Sequence, residues 1–428
     1  MEVEIGRGKK ARRADGFDDI ALVPSRRTRD PDDVDISWKL GDYRFELPLM
    51  ASAMDGVGSP QTAGSVGKLG GLAVLNLEGI WTRYEDADDQ LERIAQLPRD
   101  EATREMQEIY REPIKDELIV RRIREIKEQG VVVSASLTPQ RVRKYYELAL
   151  DAGLDVLVIQ GTVVSAEHVS TVSEPLNLKE FIREVEVPVV VGGCASYHTG
   201  LHLMRTGAAA VLVGVGPGAA CTTRGVLGIG VPQATAIADV AAARSQHMLE
   251  TGEYCHVVAD GGMRNGGDVA KAIACGADAV MIGSPLARAF EAPGHGFHWG
   301  MATFHPTLPR GARVQTVQNG TLEEILVGPA RENDGTFNLF GGLRTSMATC
   351  GYQDLAEFNR AELMVAPALQ TEGKHLQSAQ GIGMGARGSS APAPRDEHAN
   401  GSHAEEPAPV LSGTPAPSPP TMATAANC

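Results

Sequence analysis

The sequence predicts an α/β protein and, within that class, a (β/α)8 TIM barrel. Three observations carry the prediction. Eight short apolar runs recur along the chain: Leu47–Ala53, Leu72–Asn76, Val131–Ser136, Val156–Gln160, Val187–Val191, Ala210–Val215, His256–Asp260 and Ala279–Gly283. Each is often β-branched and ends in glycine or a small polar residue, which suits strands buried on both faces of a parallel sheet. Helical patterns lie between most of them, at Thr62–Leu69, Pro139–Asp151, Leu178–Val185, Tyr197–Thr206, Gln233–Glu250 and Gly267–Cys275. Eight is the strand number that closes this fold, which favours a barrel over an open doubly wound sheet. Finally, the sixth run is followed by a loop dense in glycine, and strand-to-helix loops are where barrels place chemistry.

The remaining segments follow in chain order. The basic start, MEVEIGRGKKARR, lacks the apolar centre of a signal peptide and reads as a solvated arm. Leu77–Glu128 is charged and periodic, and reads as solvated helices between the second and third strands. Pro293–Thr336 has no clear period and suits a mobile flap. Asn338–Thr349 and Asp354–Leu363 read as two closing helices. The barrel unit is assigned to residues 1–370. Residues 371–428 form a Pro/Ala/Ser/Gly-rich tail with too few large apolar residues to order itself. Leu369–Met384, which keeps a few apolar residues, is expected to lie over the barrel mouth.

Composition narrows the function. A net charge of −14 argues against nucleic acid or an anionic membrane as partner. No run is long enough to span a membrane. Six scattered cysteines, without CxxC pairs, suit reduced thiols in a cytoplasmic protein. One of them stands apart. Cys221 sits in Val213–Gln233, VGVGPGAACTTRGVLGIGVPQ, between an apolar run and an alanine-rich helix. The bland reading is a buried thiol acting as a small hydrophobe. The Gly-x-Gly-x-x-Cys-Thr-Thr context favours chemistry: its glycines can aim several backbone groups at one point, and Thr222, Thr223 and Arg224 put hydroxyls and charge beside the thiol.

These residues resemble a known family. FDDIALVPSRRTR (17–29), ASAMD (51–55), GPGAACTTR (216–224), GVPQATAIADVA (230–241), ADGGM (259–263), GADAVMIGSPLA (276–287) and GGLR (341–344) are similar, in order, to motifs of the IMP dehydrogenase/GMP reductase family. Its members are (β/α)8 barrels, and many insert a pair of CBS domains after the second strand. Leu77–Glu128 is too short for that pair, so the chain resembles the short, CBS-free, IMP dehydrogenase-related branch.

The resemblance implies a reaction: IMP + NAD⁺ + H₂O to XMP + NADH, in guanine nucleotide synthesis. Cys221 matches the nucleophile that attacks C2 of the purine, and Thr223 the threonine that helps activate water. A thiolate suits the first role, being nucleophilic near neutral pH and a good leaving group. Asp260 matches the carboxylate that accepts the ribose hydroxyls; its bland reading is a turn cap. Gly261, Gly262, Gly283 and Ser284 match the phosphate site, where barrels turn backbone N–H groups toward an anion. Ser52 and Met54 match positions beside the nucleotide, although an isolated methionine more often packs a core. Gln160 and Gly161 match the nicotinamide side. The carbonyls of Gly216, Gly218 and Cys221 match the backbone site for potassium. The family also implies a homotetramer or octamer.

Departures from the pattern are Gln160 for aspartate, Cys194 for asparagine, Leu212 for arginine and Ala219 for serine. Three of these four would face the purine or the nicotinamide. The flap motif is reduced to HWGMATF (298–304), and Arg310, Arg313 and Arg331 are the candidates for the flap arginine. Two rival readings stand beside IMP oxidation: GMP reductase, which runs on NADPH with loss of ammonia, and a nucleotide-binding regulatory barrel without turnover.

Overall fold

A computed structural model describes residues 2–171, 175–367 and 372–383. The eight apolar runs form eight parallel strands that close in chain order: β1 Leu49–Ala51, β2 Leu72–Asn76, β3 Ser134–Leu137, β4 Val156–Gln160, β5 Val189–Cys194, β6 Ala210–Val213, β7 His256–Asp260 and β8 Ala279–Ile282. Closure is made by β8 on β1, with Val280 opposite Leu49 and Ile282 opposite Ala51. The (β/α)8 barrel is therefore the observed fold. β2, β4 and β7 keep the bounds read from sequence, because each is a continuous apolar run with no ambiguous flank. β5 runs on to Cys194, past the expected end at Val191. Gly192 makes this possible: a Cβ there would lie 2.4 Å from Leu212 Cβ, so only glycine lets the strand pass that side chain.

Ser59 caps helix α1 (Pro60–Lys68), its Oγ accepting from Thr62 N–H at 3.0 Å. The segment after β2 is more than solvated decoration. It forms α2 (Ala87–Gln96), α3 (Ala102–Ile109) and α4 (Asp116–Lys127). α4 buries Leu118, Ile119, Ile123 and Ile126, and serves as the barrel helix between β2 and β3. α2 and α3 bury Leu91, Ile94, Met106 and Ile109 on their inner faces. The charges that made the segment look solvated lie on the outer faces, as helix periodicity allows.

The hairpin Trp38–Leu40/Tyr43–Phe45 lies at the N-terminal end of the barrel, where Trp38 meets His256 edge-on and Tyr43 Oη bonds Asp155 at 3.2 Å. The opposite, C-terminal end is open. Near that end, Phe297–His298 pairs with Val314–Gln315 and closes the base of a loop, residues 299–313. The expected closing helices are α5 (Leu339–Thr349) and the single turn α6 (Leu355–Phe358). Leu363 belongs instead to a strand, Leu363–Val365, that pairs antiparallel with Ile20–Leu22. In the expected tail only 372–383 is described; it holds the short helix His375–Gln380, which has no buried residue. The rest of the tail lies outside the described residues.

Candidate active site at the C-terminal mouth

The strand ends converge on a cavity of about 590 Å³. Ser52 and Met54 follow β1, Gln160 ends β4 with Gly161 next, and Gly216, Gly218 and Cys221 come from the loop after β6. Asp260 ends β7 and is followed by Gly261 and Gly262; Gly283 and Ser284 follow β8. The fold thus brings every one of these expected residues to one space. Thr223 does not line it. It is fully buried beneath the thiol, with Oγ1 accepting from Cys221 Sγ at 3.2 Å.

Cys221 is half-buried, whereas the other described cysteines are buried. Its loop is braced from two sides. Cys221 N–H donates to Gly218 O at 3.1 Å, and Thr222 N–H donates to Arg310 O at 3.2 Å. Cys221 and Gly311 form an isolated antiparallel bridge, and Ala312 N–H donates to Ala220 O at 2.8 Å. Arg224 donates to Val215 O at 3.3 Å and Val231 O at 2.7 Å, tying both ends of the loop. Burial of the Arg224 guanidinium lowers its pKa.

Asp260 sits on the cavity floor. Gln160 Nε2 donates to its Oδ2 at 3.2 Å. Desolvation pushes the carboxyl up to about 7, and the Gln160 bond opposes that rise. A carboxylate poised there, with one neutral donor and no cation bonded to it, has acceptor capacity left for a ligand's hydroxyls. Gln233 was not singled out from sequence. Its Nε2 donates to Val213 O at 2.7 Å and Asp260 O at 3.2 Å, joining the ends of β6 and β7. The signal was its place directly after Pro232, at the start of a helix.

The glycines after β7 act by close approach. Gly261 and Gly262 take φ of 78° and 85°, and a Cβ on Gly261 would stand 3.3 Å from Gly218 N. Gly261 N–H donates to Met281 O at 3.0 Å, so this glycine supplies shape and not a free amide. Ser284 Oγ lies 2.7 Å from His298 Nε2. That histidine is fully enclosed, and burial lowers its pKa to about 4, so it is neutral.

Two of the four departures do not reach the cavity. Cys194 is buried, its thiol pushed up to about 12 by desolvation, and Leu212 is enclosed against Gly192. Only Gln160 and Ala219 line the site. The expectation that three would face the ligands is corrected: Cys194 and Leu212 are buried in the barrel core and neither lines the cavity. Of the three candidate arginines, Arg310 alone lines the cavity, and its Nε is buried with no partner. Arg313 donates to the carbonyls of Ile94, Ala95 and Leu97, and Arg331 pairs with Glu324. Sequence reading also missed Gly16–Asp19 and Arg264, which line the cavity from its rim; Arg264 pairs with Asp18 and Asp268.

A closed parallel barrel with a thiol, a carboxylate and glycine loops at its C-terminal mouth defines an α/β-barrel enzyme site. Comparison with known proteins sharpens the class. The pattern of the IMP dehydrogenase / GMP reductase domain matches residues 14–375, and the chain belongs to that family of oxidoreductases. It is 48% identical over 372 residues to an uncharacterized oxidoreductase of Mycolicibacterium smegmatis, covering 85% of this chain and 99% of the relative. It is 25% identical over 481 positions to the inosine-5'-monophosphate dehydrogenase of Methanocaldococcus jannaschii, covering 85% of this chain and 95% of that one. Among solved structures it is similar to an IMP dehydrogenase/GMP reductase-like protein of Corynebacterium glutamicum, with a TM-score of 0.81 and 47% identity. That match covers 85% of this chain and 97% of the other. No described helix is long and apolar enough to cross a membrane.

Proposed function

We propose that the protein is a purine nucleoside monophosphate oxidoreductase that works through a covalent adduct at Cys221, with IMP oxidation to XMP as the reaction. The observation that carries the reading is that Cys221, backed by the buried Thr223, and Asp260 face one cavity at the barrel mouth. Asp260 accepts the ribose hydroxyls, and the loops at Gly262, Gly283 and Ser284 take the phosphate. The Cys221 thiolate then adds to C2 of the purine. Bound NAD⁺ supplies the acceptor for the hydride that leaves C2. Water attacks the same carbon, the thiolate leaves, and XMP is released with one proton. Gln160 and Gly161 share the cavity with Cys221, so the residues present fit a nicotinamide facing C2. The donor set at Gly216, Gly218 and Cys221 is backbone carbonyl, which fits a hard monovalent cation; potassium held there would stiffen the thiol loop. A homotetramer or octamer, the family's habit, belongs to the same proposal, and light scattering measures it.

A second reading is favoured by one feature. The loop at 299–313 is bonded both to the thiol loop and to the inserted helices. A loop so tethered suits a reaction in which no water needs to reach the adduct. GMP reduction is such a reaction: the Cys221 thiolate adds to C2, the 2-amino group takes up a proton and leaves as ammonia, and a hydride, which bound NADPH would supply, adds to C2 as the bond to Cys221 breaks and IMP is released. Purified protein given IMP with NAD⁺, and separately GMP with NADPH, decides between them by absorbance of the reduced cofactor. IMP-dependent gain of NADH supports the first reading and GMP-dependent loss of NADPH the second. If neither occurs although IMP binds, the regulatory barrel remains.

A further inference from the structure

The loop that carries Arg310 is held from outside by the inserted helices, and one side chain stands at the centre of the hold. Tyr110 directly follows α3. Its hydroxyl accepts from Trp299 Nε1 at 2.7 Å and donates to Asp55 Oδ2. Its ring stacks on Phe304, centroids 3.4 Å apart and planes 5° from parallel. Trp299 and Phe304 belong to the loop 299–313, while Asp55 directly follows the cavity residues Ser52–Met54. Two further ties run the same way. Gln107 Nε2 donates to His305 O at 3.0 Å, and Arg313 reaches the carbonyls at the C-terminal end of α2.

The chemistry at this junction is costly to break in place. Asp55 is fully enclosed; Ile80 N–H donates to its Oδ2 at 3.1 Å, and its Oδ1 is buried without a partner. Desolvation raises its pKa to about 6, opposed by the bonds from Tyr110 and Ile80 and by the charge of Arg83. Arg83 also stands over the Tyr110 ring at 5.8 Å. Without the phenol hydroxyl, the Asp55 carboxyl and the Trp299 indole N–H lose their shared partner in a buried site. Such orphaned groups favour states in which water reaches them. The state within reach is the one with residues 299–313 lifted away.

We infer that Tyr110 is a positioning residue: it pins residues 299–313 against the thiol loop and so sets where Arg310 stands. The segment inserted after β2 is then a buttress for the flap. The pinning rests on the contacts alone; its catalytic consequence rests on the reading of Cys221 as nucleophile.

The test uses the full chain and needs no substrate. Tyr110→Phe and Trp299→Phe each remove one side of the junction, and Tyr145→Phe removes a buried phenol hydroxyl elsewhere as a control. Trypsin cleavage after Arg310 and iodoacetamide labelling of Cys221 are followed by mass spectrometry well below the melting temperature. In both junction variants cleavage after Arg310 should rise roughly fivefold or more, as expected of a released local segment. Cys221 labelling should rise with it, while cleavage at Arg143 and Arg205 on the barrel helices stays at the parent rate. Tyr145→Phe should match the parent throughout. Unchanged cleavage after Arg310, or an equal rise at Arg143 and Arg205, overturns the inference. If Tyr110→Phe does not fold, Trp299→Phe carries the same test alone. An absence of turnover with either nucleotide would overturn the proposed reaction and leave this result standing.

Discussion

The two walls of the cavity are built on different principles. One wall comes from the loops after β6, β7 and β8, each a direct continuation of a barrel strand; Gln233 ties the ends of β6 and β7, and Arg224 closes the β6 loop on itself. The other wall, residues 299–313, has a two-residue ladder at its base, a few backbone bonds to the thiol loop, and otherwise leans on helices from a distant part of the chain. A strand-end loop inherits the rigidity of the barrel. A leaning loop opens at the cost of its own few ties, independently of the barrel. The first wall therefore suits fixed recognition of a nucleotide, and the second suits control of access.

The largest effect that follows belongs to the rigid wall. Cys221→Ala should abolish turnover, a loss of roughly a thousandfold or more for a removed covalent nucleophile. Nucleotide should still bind, since the proposed ribose and phosphate contacts come from the ends of β7 and β8. Calorimetry and a coupled absorbance assay check the two halves. Near-normal activity in that variant would remove the thiol from the mechanism.

Next in size is Asp260→Ala. It takes away the proposed acceptor for the ribose hydroxyls and should weaken nucleotide binding by about 2–4 kcal/mol, the scale of lost charge-assisted hydrogen bonds. An unchanged dissociation constant would return Asp260 to a turn-capping role. The rigid wall would then recognise the phosphate alone.

How much of this contrast was legible in the sequence depends on which wall is considered. β4 and β7 could be read to the residue because their apolar runs end in Gln160 and Asp260, where burial gives way to the cavity. The thiol loop was legible because no helix or strand accommodates that density of glycine. The second wall was not. Tyr110 closes a charged, periodic stretch, and nothing local marks its hydroxyl as the partner of Asp55 and Trp299, which lie 55 and 189 residues away. Cys194 and Leu212 misled for a related reason. Their place in the pattern pointed to the cavity, but both side chains are buried in the barrel core, which a position in sequence does not reveal.

A pH series sharpens the role of Asp260. The unfolded carboxyl titrates near 3.8 and the folded one at about 7. Between those values the folded state holds a proton that the unfolded state has lost. Stability from this group is therefore full below about 3.8 and is lost as pH rises through about 7. The loss is on the order of 4 kcal/mol at 1.36 kcal/mol per unit. Nucleotide affinity has the opposite sign, because only the ionised carboxylate accepts two hydroxyls. It should fall about tenfold per unit as pH drops below 7. Asp55, raised to about 6, shares the stability trend, so the quantity to measure is the difference between the parent and Asp260→Asn. Parallel curves for the two proteins would show that Asp260 does not titrate in this window.

The smallest effect is expected at the C-terminal end, where a cover over the mouth was anticipated from Leu369–Met384. Among the described residues, none of 372–383 lines the cavity. The helix His375–Gln380 buries no side chain, and Gly383 N–H reaches back to Asn333 Oδ1 at 3.2 Å in an exposed bond. A single exposed hydrogen bond is worth about 1 kcal/mol or less. A chain ended after Met384 should match the full protein in melting temperature and activity. One ended after Pro367 should keep its melting temperature and activity, since the Leu363–Val365 strand that pairs with Ile20–Leu22 is retained and none of the described residues removed lines the cavity. A fall in activity for the shorter chain alone, at an unchanged melting temperature, would restore a covering role to this segment. It would also make the mouth a three-sided structure, with access shared between the Tyr110-pinned loop and the chain that follows Pro367.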